Sequence, residues 1–106
     1  MKFENKHYRP LLEGLTIQKS AINGLGLHAQ VDWKAGVLLG ESHVWNDRVE
    51  DWIRTPLGGF LNHSDKPNCE IESDEAGTIR KLFTLEKIEL GKELTVKYSW
   101  YNPTEK

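Results

Sequence analysis

The sequence predicts a mostly β single domain, and three observations carry that prediction. Cys69-Glu70-Ile71-Glu72-Ser73 alternates apolar and polar residues, Asp74-Glu75-Ala76-Gly77 is a loop, and Thr78 to Leu85 returns as a strand, which is the signature of a hairpin. Turn chemistry recurs at Ile22-Asn23-Gly24, Lys34-Ala35-Gly36 and Leu90-Gly91-Lys92, each time beside a short apolar segment. Only one stretch carries a helical period. Many short strands with little helix imply small sheets sharing one core.

Taken in order, Leu15-Thr16-Ile17-Gln18 alternates as a half-buried strand should, and Leu25-Gly26-Leu27-His28-Ala29 reads as its returning partner across the turn at Asn23-Gly24. Val37-Leu38-Leu39-Gly40 comes after the next turn. Asn46 to Arg54 is the best place for a short helix: Asn46 or Asp47 can cap it, and Val49, Trp52 and Ile53 recur at i, i+3 and i+4. Thr55-Pro56 is expected to end that helix, with Gly58-Gly59 loosening the chain beyond it. Glu93-Leu94-Thr95-Val96-Lys97-Tyr98 alternates again as a last strand. Residues 1–12 and 102–106 are polar and expected to be loosely held.

The chain has 106 residues, enough for one small domain. Its 38% hydrophobic and 28% charged residues fit a globular chain rather than a disordered one. Lysine and arginine number 14 against 16 acidic residues, so no basic excess suggests direct nucleic-acid binding. The single cysteine, Cys69, excludes an internal disulfide framework and a cysteine-rich zinc cluster. Met1 to His7 contains no apolar signal segment, and no apolar run approaches the roughly 18 residues a membrane helix needs. A reducing, cytoplasmic location without membrane contact is the expectation.

Asn62-His63-Ser64-Asp65-Lys66-Pro67-Asn68 is the oddest stretch. Asn, Ser, Asp and Pro all form turns, so an exposed turn is the plain reading of each residue singly. Together, an amide, an imidazole and a hydroxyl can also line a ligand pocket. No metal site is expected, because His7, His28, His43 and His63 show no ligand spacing. Gly24-Leu25-Gly26 lacks the third glycine and following helix of a dinucleotide motif. Ser20, Ser42, Ser64, Ser73 and Ser99 sit in no nucleophile elbow. Cys69, inside a strand, reads as a small buried thiol. Glu70, Glu72, Asp74 and Glu75 form an acidic group, read first as a solvated strand face and second as an attraction for a basic peptide. Tyr98, Trp100 and Tyr101 suit either core closure or a cleft wall.

Three blocks in this order resemble the SET domain of protein-lysine methyltransferases. Gly24-Leu25-Gly26-Leu27-His28-Ala29 is similar to the family's G-x-G followed by bulky and small residues. Phe60-Leu61-Asn62-His63-Ser64-Asp65-Lys66-Pro67-Asn68-Cys69 is similar to F-x-N-H-S-x-x-P-N-C. Ile88-Glu89-Leu90-Gly91-Lys92-Glu93-Leu94-Thr95-Val96-Lys97-Tyr98 resembles I-x-x-G-E-E-L-T-x-x-Y. The resemblance covers about Leu15 to Tyr101 of one minimal domain spanning 1–106, and the second and third blocks together are its specific part.

The resemblance implies a β-clip of small sheets, a C-terminal pseudoknot and a very short helical insert. It implies S-adenosylmethionine as methyl donor on one face and a substrate lysine entering by a channel from the other. By position, Leu25 and Gly26 would offer backbone groups to the donor, with Phe60, Asn62 and His63 beside them and Trp100 against the adenine or the channel. Tyr98 would be the catalytic tyrosine, and Ile71, Val96, Tyr98 and Tyr101 would line the lysine channel. The partner implied is a protein or peptide carrying a lysine. Lysine attacks only when neutral, and near its reference pKa of about 10.4 roughly one in 2,500 is neutral at pH 7. A dry channel beside a sulfonium lowers that pKa. Tyr98, with a reference pKa of about 10, suits orientation and electrostatic work better than general base catalysis.

Several positions depart from the family pattern. The 106 residues hold no cysteine-rich zinc segment, and the insert from about Glu41 to Thr55 is very short, so the peptide groove is expected to be shallow or completed by a partner subunit, for which a homodimer would serve. Lys97 stands where an aspartate often precedes the tyrosine, and Val96 and Ile71 stand where the family often has aromatics. The competing expectations are a non-catalytic SET-like module that binds a protein or peptide, and a methyltransferase acting on a non-protein amine.

Overall fold

A computed structural model describes residues 11–97. Among these residues, eight strands form three small sheets and one helical turn joins two of them. Strands β1 (Leu15–Lys19) and β2 (Leu25–Ala29) pair antiparallel with Leu15 opposite Ala29, as their alternation and the intervening turn predict. The mostly β expectation holds, with one short helix.

Strand β3 (Leu38–Asn46) is the longest element and runs through the first residue of the expected helix. It turns at 47–50 and returns as β4 (Asp51–Arg54), with Trp45 opposite Trp52 and Val44 opposite Ile53. The helix expected over Asn46 to Arg54 is therefore a β-hairpin. Asn46 does cap, but it caps a turn: its Oδ1 accepts from the backbone N–H of Arg48 and Val49 at 2.8 and 3.3 Å. Glu50 takes a φ of 54°, which breaks a helical run, and Val49 is 62% exposed, so the apparent apolar stripe has no common face. Trp52 instead packs across strands, 5.6 Å from Trp45 in an edge arrangement.

Thr55-Pro56 starts a helix rather than ending one. Helix α1 (Pro56–Gly59) has Thr55 as its N-cap, whose Oγ1 accepts from Gly58 N at 3.3 Å, and Pro56 sits where a missing N–H costs nothing. Gly58 lies against the carbonyl of Ser42, and any β-carbon there would strike that backbone.

Strand β5 (Asn62–His63) comes next, then β6 (Cys69–Ser73) and β7 (Ile79–Thr84), the expected hairpin. The hairpin tip is held by Asp74, whose Oδ1 accepts from Thr78 N and Ile79 N at 2.9 and 3.2 Å. The large sheet runs β4-β3-β7-β6, and two irregularities in β3 adjust its register against β7. The last strand is shorter than its alternation suggests: β8 covers Thr95–Val96 and pairs in parallel with β5, Asn62 opposite Thr95 and His63 opposite Val96. Tyr98 lies outside the described residues.

One core joins the three sheets. Leu15, Leu27, Leu39, Leu57, Leu61, Cys69, Leu82, Ile88, Leu94 and Val96 are all buried, with Ile71 and Trp33 packed against them. Burying a leucine of this kind stabilises by about 1.5–3 kcal/mol. Burial pushes the Cys69 thiol up to about 12, with Glu86 adding to the rise, so the cysteine is an inert core residue as expected.

Candidate functional site

The three sequence blocks converge around β2. Leu27 N donates to the Phe60 carbonyl at 3.2 Å, and Leu94 N donates to the Leu27 carbonyl at 2.8 Å. Ala29 N donates to Lys92 O at 2.9 Å, and Ser64 N donates to Val96 O at 2.9 Å. A strand of two residues has too few ladder bonds to stand alone, and side chains supply the rest. Asn68 does so most clearly: its Nδ2 donates to Glu93 O and its Oδ1 accepts from Thr95 N, both at 2.9 Å. Its amide thus substitutes for a strand backbone.

Asn62 gathers the site. Its Nδ2 lies 2.7 Å from Glu93 Oε2, 3.1 Å from Ser20 Oγ, 3.2 Å from Asn23 O and 3.3 Å from Leu25 O. Ser20 Oγ donates to the Glu93 carboxylate at 2.8 Å and accepts from Ile22 N at 2.8 Å, so it ties the β1–β2 turn to the same point. Two amide hydrogens face four acceptors. The convergence of a carboxylate, two carbonyls and a hydroxyl is an environment suited to a cation. Gly26 makes room for it, because a β-carbon there would collide with the Glu93 carboxylate.

Of the other expected site residues, Leu25 joins this point through its carbonyl and Gly26 through the room it leaves for Glu93. Leu25 is 53% exposed at the turn, Gly26 is buried, and Phe60 is half-buried. His63 faces outward with Nε2 3.3 Å from Asp65 Oδ1. Ile71 is half-buried on β6, and Val96 is 1% exposed within the core. Trp100 and Tyr101, like Tyr98, lie outside the described residues. Glu93 and Ser20 are the members that sequence reasoning misses. The signal for Glu93 is its place in the third block, but its link to Gly26 emerges only when distant segments meet.

A second polar cluster lies along β3, beside the start of α1. Ser42 Oγ is 2.8 Å from His43 Nδ1 and 3.2 Å from Arg80 O. Burial, with Arg80 and Arg54 nearby, lowers the His43 pKa to about 4. Trp52 meets the His43 ring edge-on at 6.5 Å, and the Arg80 guanidinium stacks 3.8 Å over Trp52. Both Ser42 and His43 are buried, so this pair is structural rather than nucleophilic. Among the described residues, no group of histidine, cysteine and carboxylate side chains could hold a metal ion.

The small curled sheets and the parallel β5–β8 pair at the meeting of the motif blocks define a methyltransferase-like fold, and the SET-domain family model matches residues 42–99. The chain belongs to the SET-domain family. Among solved structures it is similar to a candidate histone methyltransferase of Plasmodium falciparum, at TM-score 0.69 and 18% identity over 86% of this chain and 99% of that one. It is equally similar, at TM-score 0.69 and 18% identity over 84% of this chain, to part of a humanized mutant of the Chaetomium thermophilum Polycomb Repressive Complex 2 bound to the inhibitor GSK126, of which it spans 15%. No curated protein matches the chain.

Proposed function

We propose that this protein transfers a methyl group from S-adenosylmethionine to a lysine side chain of a protein substrate. The observation that carries the reading is the acceptor cluster around Asn62, built where all three SET blocks meet. Its chemistry fits the amino-acid end of the donor: the Leu25 and Asn23 carbonyls and the Glu93 carboxylate would take an ammonium beside the Asn62 amide that gathers them. Phe60 and the exposed His63 would flank the adenine, and Trp100 would close over it. When bound, S-adenosylmethionine supplies a methyl group on a sulfonium, open to in-line displacement.

The chain's own residues do the positioning, which carries much of such a reaction. Tyr98 lies two residues beyond the end of β8 and would present its hydroxyl where the methyl group and the lysine nitrogen meet. Val96, packed in the core, would fix the base of that position, and Ile71, packed against the same core, would supply apolar wall beside it. These apolar surroundings exclude water and favour the neutral amine. Tyr101 would complete the channel. The hairpin β3–β4 forms a short insert, so a substrate groove is shallow unless a partner protein or a second copy adds to it.

Calorimetric titration with S-adenosylmethionine tests the donor site: saturable binding, weakened by about tenfold or more in Asn62→Ala, is expected. Tyr98→Phe should retain donor binding and lose methyl transfer by about a hundredfold or more. Unchanged turnover in Tyr98→Phe would remove its assigned role. A folded protein that ignores the donor at millimolar concentration would favour a non-catalytic binding module.

A further inference from the structure

The large sheet has two faces, and only one is used by the core. Along β7, Leu82 and Thr84 point inward and are buried, while Ile79, Lys81 and Phe83 share the opposite face. Pairing extends that outer face across the sheet. Ile79 lies opposite Val44, which lies opposite Ile53, so three β-branched residues form a row across β7, β3 and β4. Phe83 lies opposite Leu38 and Glu70, and Lys81 opposite Glu41 and Glu72. Ile53, Val44 and Leu38 are 46%, 36% and 48% exposed and Ile79 and Phe83 are half-buried, so among the described residues the β3 and β4 part of this face lies open. Scattered exposed aliphatics are ordinary, but a continuous cross-strand row is not.

Charge decides what fits it. Among the described residues of this face, Glu41, Glu70 and Glu72 stand against the single cation Lys81. Glu70 and Glu72 lie side by side on β6, and the contact with Glu72, more than burial, raises the Glu70 pKa. A second copy laid face to face would set these carboxylates against their own kind. A cationic partner would relieve them.

We propose that the outer face of the β4-β3-β7-β6 sheet is a docking surface for an extended, lysine-rich protein segment, with aliphatic side chains over the Ile53-Val44-Ile79 row and ammonium groups over Glu70 and Glu72. Docking of this kind is independent of methyl transfer and is read without donor. The probe is a short fluorescent peptide in which lysine alternates with valine and threonine, titrated against the full chain by anisotropy. Saturable binding is expected, weakening as salt rises. Glu70→Lys with Glu72→Lys, and separately Ile53→Ser, should each weaken it by about tenfold. Both variants alter exposed side chains, and unchanged circular dichroism and thermal unfolding would certify their folding. Three results would overturn the proposal: no binding, binding indifferent to both variants, or equal binding of a peptide with glutamate in place of lysine. Concentration-dependent self-association abolished by Ile53→Ser, without peptide binding, would assign the face to a second copy instead.

Discussion

The large sheet and the convergence at β2 are built by opposite means. The sheet β4-β3-β7-β6 draws its order from backbone ladders and an inner apolar face, including Leu39, Cys69 and Leu82. The site draws its order from polar side chains: Asn68 bridges to the β8 segment, while Asn62, Ser20 and Glu93 knot the β1–β2 turn to it. Strands of two residues cannot hold themselves, so the side chains available for ligand contact are also the ones that fix the backbone. Stability in one region is therefore separable from chemistry, and in the other it is not.

The largest effect should come from the sheet. Leu82→Ala removes a fully buried side chain and should cost about 2–5 kcal/mol, read as a lower urea midpoint. Acid should act on the same region. The unfolded chain protonates His43 near 6.5, whereas the folded chain does so only near 4, so stability falls as pH drops through that window and levels out below it. The contribution is up to about 3 kcal/mol, and His43→Gln should flatten this part of the pH profile of unfolding. An equal slope in wild type and variant would break the assignment.

Asn68→Ala attacks the other region. It removes a donor and an acceptor that serve Glu93 and Thr95, for a global cost of about 1–3 kcal/mol. The comparison sharpens if donor binding falls more than stability, as separate titration and unfolding measurements would reveal. Thr55→Ala should have the smallest effect, about 1 kcal/mol, through loss of the α1 cap, with donor binding unchanged.

The same division explains how much of the fold is legible in the sequence. The β6–β7 hairpin and the β1–β2 pair are legible because alternation and turn residues are local signals. The β3–β4 hairpin is not, because Val49, Trp52 and Ile53 match a helical spacing as well as a turn followed by a strand, and the cross-strand pairing of Trp45 with Trp52 that decides between them is invisible to a local pattern. Thr55-Pro56 misleads for a related reason: proline stops a helix from within but opens one at its first position. Asn62 and His63 are visible as members of a motif, yet the partners of Asn62 lie 31 to 42 positions away. No local pattern announces that Gly26 is small in order to admit the Glu93 carboxylate.

The parallel pairing of β5 with β8 also sets an order of events. Every contact of Asn62 with Glu93, and of Asn68 with Thr95, closes a long loop, and such contacts form late in folding. During synthesis the hairpins β1–β2, β3–β4 and β6–β7 can each pair as soon as they leave the ribosome, but the acceptor cluster around Asn62 must wait until residue 96 has emerged. A nascent chain of this protein would thus carry most of its secondary structure before the polar knot around Asn62 could close.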